Sequence, residues 1–238
     1  MIRIRDISPI PNTSPSLSVT LLAARQAAAG PGVAIERVHV RAGTISLETC
    51  YEEYLAGPYI LEEVVRAERD GFDAVIIDCA VDPALRGARD AVHIPVVGAG
   101  EAGILLAMAL GDYYSIVTVQ NAVPLMWEKM RGRELQHRLR SVRGVSIGRF
   151  DLVRGEEATV NAVSEQARLA VEQDGADVVV LGCTAMSLMA APIAKCLGVP
   201  VIDPAAAAIK LAITQVEMGI SHSKRAFPAP PVRVPASA

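Results

Sequence analysis

Aromatic side chains are scarce, at 4% of the chain, so the interior must be filled with aliphatic residues. Charge of either sign is not in excess. The formal net charge of -3 gives no electrostatic reason to expect a nucleic-acid partner or an anionic membrane. No stretch of about 18 uninterrupted apolar residues is present, as a membrane-spanning helix would need. The charged start Met1-Ile2-Arg3-Ile4-Arg5-Asp6 holds no apolar secretory segment. These absences predict a cytoplasmic protein with no nucleic acid and no membrane among its partners. Cysteine is also sparse. Four in 238 residues do not make a disulfide framework. With no C-x-x-C pair and no histidine in ligand spacing, neither a structural zinc site nor any other metal is expected. The histidines His39, His93, His137 and His222 are scattered and read as surface or locally bonded residues.

What is abundant is hydrophobic residue, 51% of the chain and rich in alanine and valine, which suits a packed α/β interior. One pattern occurs twice. Asp70-Gly71-Phe72-Asp73-Ala74-Val75-Ile76-Ile77-Asp78-Cys79 reads as a helix end, a turn, a buried strand and a cysteine. Asp174-Gly175-Ala176-Asp177-Val178-Val179-Val180-Leu181-Gly182-Cys183 reads the same way in the same register. Each cysteine lies eight residues after its glycine, and each copy leads through a helix to a second short strand, Ile94 to Val97 and Val199 to Ile202.

Strands alternating with helices imply parallel sheets covered on both faces. The duplication implies an α/β fold of two pseudo-two-fold-related lobes, each a mainly parallel sheet flanked by helices, with the active site in the cleft between them. We expect residues 1–98 plus about 204–220 to form the first lobe and 99–203 the second. Residues 221–238, with Pro228, Pro230 and Pro235, read as a flexible proline-rich tail. Helices are predicted over about 16–29, 53–69, 123–130, 133–140, 156–174, 187–197 and 204–218. Asp82-Pro83 reads as an N-cap and first helical position, and a weaker strand is predicted over 142–147.

Ligands of open α/β sheets bind outside the carboxyl ends of the strands. Cys79, Cys183, Asn12 and Thr118 all fall at such ends. A helix start following each cysteine should favour thiolate. A thiolate is a good general base and a thiol a good general acid. Two of them on opposite sides of a carbon permit deprotonation from one face and reprotonation on the other, α to a carbonyl and without a cofactor. The developing enolate needs donors. The amides of Ala80-Val81 and Thr184-Ala185, with Thr118, Val119 and Gln120, are placed to supply them. Ile45, Val81 and Met186 are apolar candidates for contact with a substituent. Cys196, on an alanine- and leucine-rich helix, reads as packing, and Cys50 has no matching partner.

The ordered set Pro11-Asn12-Thr13-Ser14, Gly43-Thr44-Ile45-Ser46, Cys79 with Asp82-Pro83-Ala84-Leu85, Ile94 through Ala102, Val117-Thr118, Leu181-Gly182-Cys183 and Gly198 through Asp203 resembles the aspartate/glutamate racemase superfamily, most closely its hydantoin and allantoin racemase branch. The resemblance spans about residues 2 to 218. It implies a cofactor-independent isomerase, a racemase of 5-substituted hydantoins or allantoin acting through Cys79 and Cys183. Backbone amides after each cysteine and the Asn12 and Thr118 loops would hold the ring carbonyls. It also implies a small-molecule substrate and a homo-oligomer. The sequence departs from the branch in three places: at Ala80-Val81, at Cys183-Thr184-Ala185-Met186, and in an extra proline-rich turn, Ser8-Pro9-Ile10. The Gly-Cys-Thr form is more like amino-acid racemases and maleate isomerases. A maleate-isomerase-like cis-trans isomerase or an amino-acid racemase is therefore an alternative. A two-lobed small-molecule binding protein is an alternative of another class.

Overall fold

A computed structural model describes residues 1–11, 14–148, 151–152 and 157–231. Its first half runs β1 (Ile2–Ser8), α1 (Pro15–Ala29), β2 (Val33–His39), α2 (Cys50–Arg69), β3 (Ala74–Ile77), α3 (Leu85–Ala91), β4 (Val96–Gly98) and α4 (Ala99–Leu110). The second half runs β5 (Tyr114–Val119), α5 (Val123–Gly132), β6 (Leu139–Val145), α6 (Glu157–Glu172), β7 (Val178–Leu181), α7 (Ala190–Leu197), β8 (Val201–Ile202) and α8 (Pro204–Glu217).

The strands form two parallel four-stranded sheets, ordered β2-β1-β3-β4 and β6-β5-β7-β8. The order is the same in both, and so is the register at their centres. Ile7 pairs with Ile77 at the end of the first central pair, and Val117 with Leu181 at the end of the second. Each cysteine follows two residues after that last pairing. β3 and β7 are buried along their whole length, which is why they read as unbroken aliphatic runs rather than alternating ones.

Side chains along β5 and β7 alternate between two cores. Tyr114, Ile116, Val178 and Val180 join the core that also fills the first sheet. Val117, Val179 and Leu181 join a second core with Val163, Met186 and Ile193. The first core continues through Ala102, Ile104 and Ala107 of α4 and Ala208, Ile209 and Ala212 of α8. The two sheets are thus joined by shared apolar packing, driven by the removal of aliphatic surface from water.

Local signals explain where several elements begin, and some differ from expectation. α2 starts at Cys50 rather than near residue 53. Thr49 accepts from the Glu52 amide, and the Glu52 carboxylate accepts from the Thr49 amide, a complete capping box. Pro58 consequently lies inside the helix. Asp82-Pro83 does not begin a helix: α3 starts only at Leu85, after Asp82 and Ala84 adopt left-handed backbone (φ 50° and 57°). Residues 133–140 are not a continuous helix. Glu134 turns the chain with φ 57°, a short 3-10 turn covers Gln136–Arg138, and β6 starts at Leu139, three residues early.

The expected flexible tail is anchored over its first part. The Lys224 ammonium donates to the carbonyls of Arg89, Asp90 and Val92, His222 contacts the Val92 carbonyl, and Phe227 lies under the Arg86 and Arg89 guanidinium groups. A lysine that satisfies the orphan carbonyls at the end of α3 is the physical reason. Among the described residues no helix is long and apolar enough to cross a membrane.

Candidate active site

The carboxyl ends of β1, β3, β5 and β7 meet at one cavity. This is where the strand order reverses in each sheet, the usual ligand position in such folds. The cavity offers about 70 Å³. Cys79 and Cys183 both line it, from opposite sheets, and both are half-buried. Ala80, Val81, Thr118, Val119, Thr184 and Ala185 line it as well.

Four expected contact residues are not among the described residues that line it. Asn12 lies outside the described residues. Ile45 is 60% exposed, and its neighbours Ser46, Leu47 and Glu48 form the wall instead. Gln120 is exposed, with its side chain lying over Gly144 of β6. Met186 is fully buried in the second core and does not line the cavity.

The backbone turns around the cysteines are bonded alike. The Asp78 amide donates to Ile7 O (2.9 Å) and the Gly182 amide to Val117 O (2.7 Å). The side chains are not alike. Thr118 Oγ1 donates to the Gly182 carbonyl (2.9 Å), so its hydroxyl proton serves the Cys183 turn rather than facing a ligand. A side chain at Gly182 would meet Ile116 Cγ2 and Thr118 Cβ at 2.7 Å. That close approach, not a positive φ, is why glycine stands there.

At the equivalent place in the first half, Asp78 is buried among charges. Arg37 Nη1 donates to Asp78 Oδ2 (2.6 Å) and also to Asp6. Arg25 Nη2 donates to Asp78 Oδ1 (3.1 Å) and to the Thr184 carbonyl (3.2 Å), while Nη1 donates to Ser187 Oγ (3.1 Å). Ser187 in turn donates to Asp203. Thr184 Oγ1 donates to the Asp78 carbonyl (3.2 Å). The two cysteine turns are thus tied directly to each other. The arginines hold Asp78 at about 2 against the cost of burial. Asp6 is pushed up to about 6, first by burial and then by the charge of Asp78.

Asp82, three residues after Cys79, does satisfy a helix start, but that of another helix, whose own N-cap position is Gly98. Its carboxylate accepts from the Gly100 and Glu101 amides of α4 (2.8 and 2.7 Å) and from Arg133 (2.6 Å). α3, at seven residues, lies too far along to act on Cys79. The expected lowering of the Cys79 thiol is therefore overturned. Burial pushes it up, opposed by an N–H from Val81 and reinforced by the nearby charge of Cys183. Cys50 donates to Glu128 across the lobes (2.9 Å), and Cys196 is exposed rather than packed. None of the four histidines lines the cavity among the described residues.

The sequence model of the Asp/Glu/Hydantoin racemase family matches residues 10–212. The chain belongs to this family. A hydantoin racemase from Pseudomonas sp. (strain NS671) is 36% identical over 215 residues, covering 90% of this chain and 86% of the relative. Two solved structures superpose with a TM-score of 0.91. The allantoin racemase of Pseudomonas fluorescens is 32% identical, covering 98% of this chain and 99% of that one. The allantoin racemase of Klebsiella pneumoniae is 29% identical, covering 98% and 95%. Membership makes the chain an isomerase of the racemase class.

Several features of this racemase's cavity carried faint sequence signals. Asp78 is the one charge at the end of an otherwise aliphatic strand. Arg25 interrupts an alanine-rich helix, Ala23-Ala24-Arg25-Gln26-Ala27. Asp6 and Arg37 sit beside Arg5 and Glu36 in their strands and do not stand out in the same way. A buried charge demands a partner, but the sequence does not say which.

Proposed function

We propose that the chain racemises a 5-substituted hydantoin or allantoin at ring carbon C5, by a cofactor-independent two-base mechanism on Cys79 and Cys183. One observation carries this reading: two thiols from equivalent strand ends of two sheets line a single cavity. C5 of such a ring bears one hydrogen and lies between a carbonyl and a nitrogen, so its proton is acidic enough for a sulfur base.

In one direction the Cys183 thiolate removes the C5 proton, and the electron pair moves onto the neighbouring carbonyl oxygen as an enolate. The Cys79 thiol then donates its proton to the opposite face of C5, and the enolate electrons return to form that C–H bond. Cys183 ends as thiol and Cys79 as thiolate, ready for the other enantiomer. The mechanism needs one proton shared between the two sulfurs. The upward push of the Cys183 charge on Cys79 disfavours ionising both, and the Val81 N–H steadies Cys79 when it carries the charge.

A neutral ring also fits the charge balance. Arg37, the arginine that lines the cavity, is already paired with Asp78 and Asp6. A maleate-like dicarboxylate or an amino-acid carboxylate would have to compete for it.

Proton exchange followed by NMR in heavy water, on each enantiomer of a 5-substituted hydantoin and of allantoin, tests the proposal. Wild type should racemise with solvent exchange. Cys79→Ser and Cys183→Ser should each lose about 10²–10⁴-fold of that rate, and a variant that still exchanges should do so with a single enantiomer. Racemisation at near the wild-type rate in either variant would sink the two-base mechanism.

A further inference from the structure

Glu48 has no part in the chemistry above. It lines the cavity, half-buried, on the loop before α2. Its position is fixed at both ends. The Glu48 amide donates to Glu52 Oε2 (2.8 Å), the same carboxylate that completes the cap of α2. Its own Oε1 accepts from Ser46 Oγ (2.6 Å). Among the described residues it has no ion-pair partner. An ionised carboxylate has about four acceptor sites, and the Ser46 hydroxyl fills one.

The charged groups that share the wall with it, Arg37 and Asp78, are already paired with each other. Ile10, Leu21, Leu47 and Val119 supply apolar surface. A ligand that covers Glu48 with hydrocarbon would strip water from a charge and return nothing. A ligand with two neighbouring N–H groups would meet it as a planar fork meets a carboxylate.

We propose that Glu48 is a specificity residue that selects rings whose C5 substituent carries N–H donors, a ureido or carbamoyl group, over rings with alkyl or aryl substituents. The proposal rests on the racemase reading of this cavity and narrows its substrate class. Sites built to hydrogen-bond a substrate group discriminate strongly against analogues that lack it.

The test pairs rates with binding. 5-Ureidohydantoin (allantoin) and 5-isobutylhydantoin are each assayed for racemisation and titrated by calorimetry, with wild type, Glu48→Gln and Glu48→Leu. Wild type should prefer the ureido ring in kcat/KM and in affinity. Glu48→Leu should lose about ten- to a hundredfold on that ring while holding or gaining on the isobutyl ring, with Glu48→Gln in between. If rates fall equally on both rings, or the ureido preference survives Glu48→Leu, Glu48 does not select and the proposal is overturned while the racemase reading stands. If nothing racemises but the ureido preference in binding disappears with Glu48→Leu, recognition stands and the racemase reading falls. If wild type binds neither ring, both fall.

Discussion

The turns at Cys79 and Cys183 share a backbone and differ in how they are held. The Cys183 turn is held by fit: Gly182 leaves room for Ile116 and Thr118, and a threonine hydroxyl caps its carbonyl. The Cys79 turn is held by charge: Asp78 sits between Arg25 and Arg37 with only 1% of its side chain exposed. Steric fit is local and costs little to assemble. A buried charge pair carries desolvation costs that good geometry must offset, and it fails badly when one partner is removed. The same place in a repeated fold can therefore be rigid for two different reasons, and the two should break differently.

The largest break is expected at Arg25. Arg25→Met leaves Asp78 and Asp6 buried with only Arg37, and should cost about 3–5 kcal/mol in denaturant unfolding. Adding Asp78→Asn should recover part of that loss, because the stranded charge is gone. A loss under about 1 kcal/mol would mean that packing, not charge, holds the Cys79 turn. Gly182→Ala tests the other turn. Its new methyl meets neighbours at 2.7 Å, so overpacking should cost about 1–3 kcal/mol and displace Cys183. The signature is a fall in kcat with little change at ordinary salt or pH.

The last break is the pH dependence of the charged turn, whose two carboxylates slope in opposite directions over different pH ranges. Asp78 is held at about 2 when folded, so its contribution is present above its ordinary value near 4 and is lost as pH falls toward 2. Asp6 is raised to about 6, so the folded state favours its protonated form, and stability declines as pH rises from about 4 to 6. Asp6→Asn should flatten that upper slope in unfolding measurements, and an unchanged slope would show that Asp6 is not its source.

The sequence carried most of this architecture. Buried strands such as Ala74–Ile77 are aliphatic because both faces are covered, and that is visible in composition alone. The matched cysteines were visible because they end those strands. What stayed hidden depends on long-range partners. Asp82-Pro83 has the local look of a helix start, yet the carboxylate caps α4 from 18 residues away, a choice made by the tertiary fold. The helix expected over 133–140 failed because Glu134 turns left-handed, which its residue type does not announce. Ile45 was the natural apolar contact, but the loop turns it outward and presents Glu48, and only the path of that loop decides between them.

The Arg25 bridge has a consequence for how the protein is made. Arg25 and the Thr184 carbonyl it grips are 159 positions apart. While the ribosome is still synthesising the second half, α1 and the Cys79 turn are already complete in covalent terms, yet the Arg25 donors have only Asp78 and water to face. The last hydrogen bonds that shape the first turn form only when the second one has emerged. A fragment ending before β7 would contain Cys79 and every residue of its strand, and would still not hold that thiol as the finished chain does.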